Sequence, residues 1–441
     1  MKISKLLLLA VAPLLLSACG GEEDTSTSGS DLPSKGLVPV TIPGMLRSGT
    51  SYNESFSYDD AWFSKSATEA NKDLRLLSFA SSVVSSDKYL NQKFYSGMHF
   101  SDATFGGYDA TNENTIGYSF ASKPMDGFNL VAVSIRGFNY GQEWANNALV
   151  GKEGNHQGFN DRANDVYDAL KTYLSKYEGK NKIWISGYSR GGAVANCLAS
   201  KLLKERNEIS IAKEDLFVYT FEAPRSVSKA NAVAYENVFN FVSSTDLIAN
   251  LVPSNYDLYR CGKEIALNEE TNVDATIARF DATATLPTFT PASGKYGDEK
   301  EFIKYLIDTL LENPGDSSVT LQDRTSFFNN YQPHLSYFLG LYYSSDAVAS
   351  AIKAKFTNSS QSQIMSAINN NELYEFIHPV LDNKGVEYNA TKFDAACDAI
   401  GKLVKAKKDF ILEFFVDQAV MSNLNRVTAM HYPDTTYAII K

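Results

Sequence analysis

The segment KIWISGYSRGGAVANCLAS, residues 182–200, constrains this chain more than any other. A short apolar run, IWIS, leads into Gly187. A lone Ser189 stands at the tip of a tight turn, and Gly191 and Gly192 open a helix of small residues. Gly-x-Ser-x-Gly in such a setting is the nucleophile-elbow pattern. The serine must sit on a strained turn that lifts its oxygen out of a sheet, and glycines let strand and helix approach each other closely. The helix N-terminus then aims backbone N–H groups at a developing oxyanion. The bare pattern also arises by chance, so a structural serine in a turn is the competing reading. The apolar strand before it and the small-residue helix after it favour a nucleophile.

The flanks alternate as an α/β sheet requires. FNLVAVSIRG, residues 128–137, is an unbroken apolar run ended by Arg-Gly, which suits a strand buried on both faces. GFNDRANDVYDALKTYLSKY, residues 158–177, sets Ala163, Val166, Tyr167, Leu170 and Leu174 on one helical face. LFVYTFEAP, residues 216–224, reads as a strand, and VFNFVSSTDLIANLVPS, residues 238–254, opens with another. Leu74, Leu77, Phe79 and Val83 have helical spacing. Alternating strands and helices predict a mostly parallel sheet. After about residue 262 the rhythm changes. DEKEFIKYLIDTLLEN, DAVASAIKAKF and DAACDAIGKLVKAKKDFILEFFVDQAVM all have helical periodicity, and no segment after Leu267 reads as a strand. The expected organisation is an α/β core over 37–264 plus 426–441, interrupted by a helical insertion or cap over 265–425.

The N-terminus reads as a targeting segment. Lys2 and Lys5 precede an apolar run from Leu6 to Leu16, too short to span a membrane as a helix. Leu16-Ser17-Ala18-Cys19 resembles the bacterial lipobox. That resemblance implies a signal peptide over 1–18, cleavage before Cys19, lipid on that cysteine, and a membrane-anchored, exported lipoprotein. Residues 19–36, rich in Gly, Ser and Thr, read as a flexible tether. Cys197, Cys261 and Cys397 are too scattered for a zinc site, and Cys197 falls on the apolar face of the elbow helix. A net charge of −10 with no basic run excludes a nonspecific nucleic-acid partner.

At this point a family resemblance can be read. From about Asn129 to Ile265 the chain is similar to the class 3 lipases of the α/β-hydrolase fold. VAVSIRGFN resembles their strand followed by Arg-Gly, EWANNALVG their Asp/Glu-Trp stretch, and HQGF their His-x-Gly-Phe. ISGYSRGGAVA resembles Gly-His-Ser-Leu-Gly-Gly, with Tyr188 for histidine and Arg190 for leucine. YTFEAPRS resembles Thr-Phe-Gly-x-Pro-Arg, NFVSSTDLIANLVPS resembles Asn-x-x-Asp before a proline, and YRCGKEI resembles Tyr-x-x-x-Gly-x-Glu-Ile. The helical insertion has no counterpart in these motifs.

The resemblance implies a serine hydrolase acting on carboxylic, lipid-type esters, with no metal or organic cofactor. α/β-Hydrolases carry their triad in the order Ser, Asp or Glu, His. Asp246 stands where the family places its acid, with Asp257 as the alternative. Chain order removes His99 and His156 as the base, and His156 reads as structural. His431, after the long helices, is preferred to His334, at the start of an insertion helix, and His378, beside Pro379 in a segment that could be a loop. The oxyanion hole is expected from the backbone N–H groups of Arg190 and Phe138. Phe138 lacks the hydroxyl often found at its position, which keeps open a ligand-binding lipoprotein that does not turn over, as well as a phospholipase or thioesterase. The Arg190 side chain would meet either an anionic group on the substrate or a carboxylate such as Glu222 or Glu143.

Overall fold

The computed structural model describes residues 35–441 apart from 48, 109–113, 140, 205–207, 210, 268–271, 313–320 and 408–416. The signal-peptide and lipidation readings, and nearly all of the tether, lie outside these residues. The tether's last two positions do not: Lys35 and Gly36 open a strand.

That strand, β1 (Lys35–Gly44), pairs antiparallel with β2 (Thr50–Asp59) in a two-stranded sheet. Two helices follow, α1 (Lys72–Val84) and α2 (Lys88–Gly97). Asn71 and Asp87 cap them, accepting from the N–H groups of Leu74 and Leu90. Next come β3 (Ser101–Gly106), β4 (Tyr118–Met125) and β5 (Phe128–Ile135). After α3 (Gln157–Leu174) the elbow is built from β6 (Asn181–Tyr188) and α4 (Arg190–Lys204). β7 (Leu216–Phe221), β8 (Val238–Val242) and β9 (Lys263–Ala266) complete a seven-stranded sheet in the order β9-β8-β7-β6-β5-β4-β3. From β5 to β9 all neighbours are parallel, while β3 and β4 are antiparallel additions at one edge. This is an α/β-hydrolase fold with a mostly parallel central sheet. Its last strand runs two residues past the core boundary read at 264.

Alternation within the central strands explains why they read as continuous apolar runs. Ile183 and Ile185 of β6 face α3 and α4, together with Val131, Val133 and Val218. Trp184 and Tyr188 point to the other face, where α1, the β1–β2 hairpin and Phe217 cover them. With both faces buried, no polar face remains to mark the strand period.

Beyond β9 the named elements among the described residues are all helical. They are α5 (Val273–Phe280), α6 (Glu299–Leu311), α7 (Arg324–Asn330), α8 (Gln332–Tyr342), α9 (Asp346–Asn358), α10 (Gln361–Asn369), α11 (Leu373–Asn383), α12 (Ala390–Ala406), α13 (Gln418–Ala429) and α14 (Pro433–Ile440). α8 to α12 build their own apolar cluster, around Phe338, Tyr342, Ile352, Ile377 and Phe393. This cluster reaches the core where Trp144 stacks on Tyr343 at 5.1 Å between ring centres. Arg324 ties the insertion down as well, donating to the carbonyls of Val150, Gly151, Glu153, Gly154 and Asn155. α14 returns to the core, where Tyr437 stacks on Phe79 of α1. Asp434, at its first turn, accepts from the N–H groups of Met45 and Leu46 just after β1, both at 2.9 Å. No helix among the described residues is long and apolar enough to cross a membrane.

Candidate active site

The elbow takes the form its glycines imply. A Cβ on Gly187 would lie 2.5 Å from the Gly191 carbonyl oxygen, and one on Gly191 would lie 2.3 Å from that of Ile135. Neither distance admits a side chain, so both positions demand glycine for close approach. Between β6 and α4, Ser189 is held at φ +52°. Such a left-handed conformation is strained for a serine and persists where the surroundings fix it. Here they do: its N–H donates to the Phe221 carbonyl at 2.8 Å, and its own carbonyl accepts from Ala193 N–H at 3.0 Å.

Three residues from distant parts of the chain meet at this turn. The Ser189 Oγ lies 2.7 Å from His431 Nε2. His431 Nδ1 lies 2.6 Å from Asp246 Oδ2. The acid divides its oxygens between two tasks. Oδ2 faces the ring, while Oδ1 caps the short helix Leu247–Asn250, accepting from Ile248 N–H at 2.7 Å and Ala249 N–H at 3.2 Å. Those cap bonds fix the carboxylate's rotation and stabilise its charge. With Asp246 accepting at Nδ1, the neutral ring carries its proton there and turns the Nε2 lone pair toward the serine hydroxyl, which donates. Ser189 retains 8% exposure, while His431 has 2% and Asp246 none. Any charge that develops on these three residues would meet little water to screen it.

His431 is set in the three-residue link between α13 and α14. Its carbonyl accepts from the Tyr188 hydroxyl at 2.6 Å, and that hydroxyl also lies 3.1 Å from Thr436 Oγ1. Tyr188 is the residue that stands in place of the histidine in the family's elbow. It is an anchor that sequence reading missed, and its only signal was that substitution. Phe138 packs edge-on against the Tyr188 ring at 6.1 Å, directly after β5 and beside the elbow.

Arg190 does not face a substrate. Its side chain is 1% exposed and pairs with Glu143, whose carboxylate is also paired with Arg136. Arg190 donates further to the Thr115 carbonyl at 3.2 Å, and Arg136 to that of Gly107 at 3.2 Å. Of the two expectations for this guanidinium, the anionic-substrate reading is overturned and the carboxylate pair holds, with Glu143 as partner. Burial is the reason: a charge enclosed at the head of α4 requires a fixed counter-charge.

The other candidates lie elsewhere. Asp257 is exposed and accepts from the Tyr259 hydroxyl at 2.9 Å. His334 is in the first turn of α8. His378 lies within α11 and not in a loop; Pro379 is accommodated inside that helix, and the ring is flanked by Glu375 and Asp382. His156 is buried against Phe159, with ring centres 4.0 Å apart, and burial beside Arg324 pushes its pKa down to about 3. It stays neutral and structural. Cys197, Cys261 and Cys397 are buried free thiols, and burial pushes the Cys197 thiol up to about 12. Among the described residues no group of three or more His, Cys, Asp or Glu is arranged to hold a metal ion.

Comparison with known proteins gives one family. Residues 132–256, which run from β5 past the acid, match the family described as Lipase (class 3). No curated protein matches the chain. Among solved structures, the lipase of Rhizopus microsporus var. chinensis is 18% identical, covering 56% of this chain and 86% of its own, with a TM-score of 0.34. Rhizomucor miehei triacylglyceride lipase is 17% identical, covering 44% of this chain and 79% of its own, with a TM-score of 0.34. Lipase II of Rhizopus niveus is 19% identical, covering 46% and 78%, with a TM-score of 0.30.

Proposed function

We propose that this carboxylic ester hydrolase, an α/β-hydrolase with a class 3 lipase segment, cleaves lipid esters through Ser189, His431 and Asp246. One observation carries the reading: an unbroken hydrogen-bonded line from the Ser189 hydroxyl through the His431 ring to a helix-capping Asp246, starting on a positive-φ turn. Ser189 attacks the acyl carbon while His431 takes its proton at Nε2. Asp246 holds the tautomer and stabilises the imidazolium. The backbone N–H groups of Arg190 and Phe138 receive the oxyanion. His431 then protonates the departing alcohol, and activates the water that releases the acyl group. The insertion helices act as a cap over the acyl site. Support for this comes from Leu247, beside the acid, packing with Phe302 and Ile303 of α6, and from the Trp144–Tyr343 stack.

A p-nitrophenyl alkylphosphonate tests the nucleophile directly. It should release a single equivalent of p-nitrophenol and leave its adduct on Ser189, located by peptide mass spectrometry. An unlabelled protein, or an adduct on a different residue, rejects the reading.

The enzyme's place is at a membrane surface, held by lipid on Cys19. The support is the run Leu16-Ser17-Ala18-Cys19 at the end of an apolar segment. In a bacterial host, labelled palmitate should enter the wild-type chain and not Cys19→Ala, which should move to the soluble fraction. A Cys19→Ala chain that still carries label in the membrane fraction argues against the anchor.

A further inference from the structure

Glu222 stands beside the triad without a step in that reaction. It follows β7 directly, is fully buried, and holds φ +48°. Glycine adopts that conformation freely and glutamate does not. The class 3 lipase pattern that YTFEAPRS resembles has glycine at this position. A strained, buried acid therefore occupies a place where the backbone itself favours no side chain at all.

Its surroundings explain what it does there. Oε2 accepts from Ser243 N–H at 2.9 Å, in the turn that leads to Asp246. Oε1 finds no hydrogen-bond partner among the described residues, and the turn that Oε2 holds carries the acid: Asp246 N–H donates to the Ser243 carbonyl at 3.2 Å, which makes the two carboxyls electrostatic neighbours. Two carboxylates this close do not both ionise. Asp246 has two backbone N–H groups and the His431 ring to stabilise its charge, whereas Glu222 has one backbone N–H. The proton therefore resides on Glu222. A proton on Oε1 also turns that oxygen from an unmatched acceptor into a donor. Burial, then the Asp246 charge, push the Glu222 carboxyl well above the usual carboxylate range. The opposing charge is Arg260, whose guanidinium is occupied by Glu264 and by the Ala223 and Ala249 carbonyls. Tyr188, with Asp434 beyond it, and His431 are the remaining titratable neighbours.

We propose that Glu222 is a positioning residue of the active site, a neutral carboxyl whose O–H donates to Asp246 and holds that carboxylate in line with His431. The proposal rests on the triad reading above. Glu222→Gln keeps a donor in the same shape, and should retain kcat/KM within about threefold. The acid limb of its pH–rate profile should coincide with wild type. Glu222→Gly removes the donor and relieves the backbone. It should keep or raise the thermal midpoint, yet lower kcat by about tenfold or more with little change in KM. Were Glu222 an anion, Glu222→Gln would strip a negative charge from the neighbourhood of the imidazole and move the acid limb down by about one unit or more. That shift overturns the proposal, as does an unimpaired Glu222→Gly. Difference infrared spectra at neutral pH give a readout independent of turnover. The carbonyl band of a protonated carboxyl should be present in the wild type and lost in Glu222→Gln, and its absence from the wild type overturns the proposal. A chain with that band but without Ser189-dependent turnover would sink the hydrolase reading alone.

Discussion

Replacing Ser189 with alanine lowers kcat for p-nitrophenyl esters by about a millionfold, and His431→Ala does the same. The double variant is no worse than either single one, because the two residues act as a unit and the second removal has nothing left to disable. Asp246→Asn loses about ten-thousandfold, since the amide holds the ring in the wrong tautomer. A residual rate about a thousandfold above uncatalysed hydrolysis survives in each, supplied by the oxyanion donors and by substrate binding. Steady-state assays on the soluble chain measure all four. Equal rates for wild type and Ser189→Ala would leave the line Ser189–His431–Asp246 without a catalytic role.

Glu143→Ala destabilises the fold by about 3–5 kcal/mol. Glu143 has no exposure, and it is the shared carboxylate of Arg136 and Arg190, which are 4% and 1% exposed. Truncating it leaves two guanidinium charges facing each other in a dry space. Both arginines also brace functional segments, Arg136 at the end of β5 and Arg190 at the start of α4, so activity falls with stability. Urea unfolding at pH 7, followed by tryptophan fluorescence, reads the cost. A loss below about 1 kcal/mol would mean that water reaches this cluster and screens it as at a surface.

The elbow was legible because its constraints are local. Strand, glycines, serine and helix lie within about twenty residues, and backbone sterics allow few arrangements of them. His431 was legible for a different reason, since chain order narrows a small set of histidines. The β1–β2 hairpin was not. KGLVPVTIPG carries two prolines and a glycine at each flank, and its pairing with TSYNESFSYD is settled by what covers Val38, Val40 and Ile42 from across the core. β3 was missed likewise, as a polar edge strand with Ser, Asp and Gly, and so was β4, whose YSFASKPM mixes serines, a lysine and a proline among its apolar residues. The fate of Arg190 could be narrowed to two kinds of partner and no further. Glu143 is 47 residues upstream, and only the folded chain shows whether that carboxylate or a substrate comes nearer. Glu222 carried a signal in the sequence, a glutamate where the resembled pattern has glycine. Its meaning depends on Asp246, which reaches it from the next strand's turn.

The clasp between Asp434 and the segment after β1 has a mechanical side. Tension entering the chain ahead of Lys35 meets the hairpin end-on, at the pair Lys35↔Asp59. The ladder then opens one rung at a time, the compliant mode of loading for a strand pair. Ten residue pairs, from Lys35↔Asp59 to Gly44↔Thr50, stand in series before the load arrives at Met45 and Leu46. Beyond those rungs lies Asp434, three residues downstream of His431. On this path a ladder of ten rungs stands between a tug on the chain's leading end and the alignment of His431 with Ser189 and Asp246.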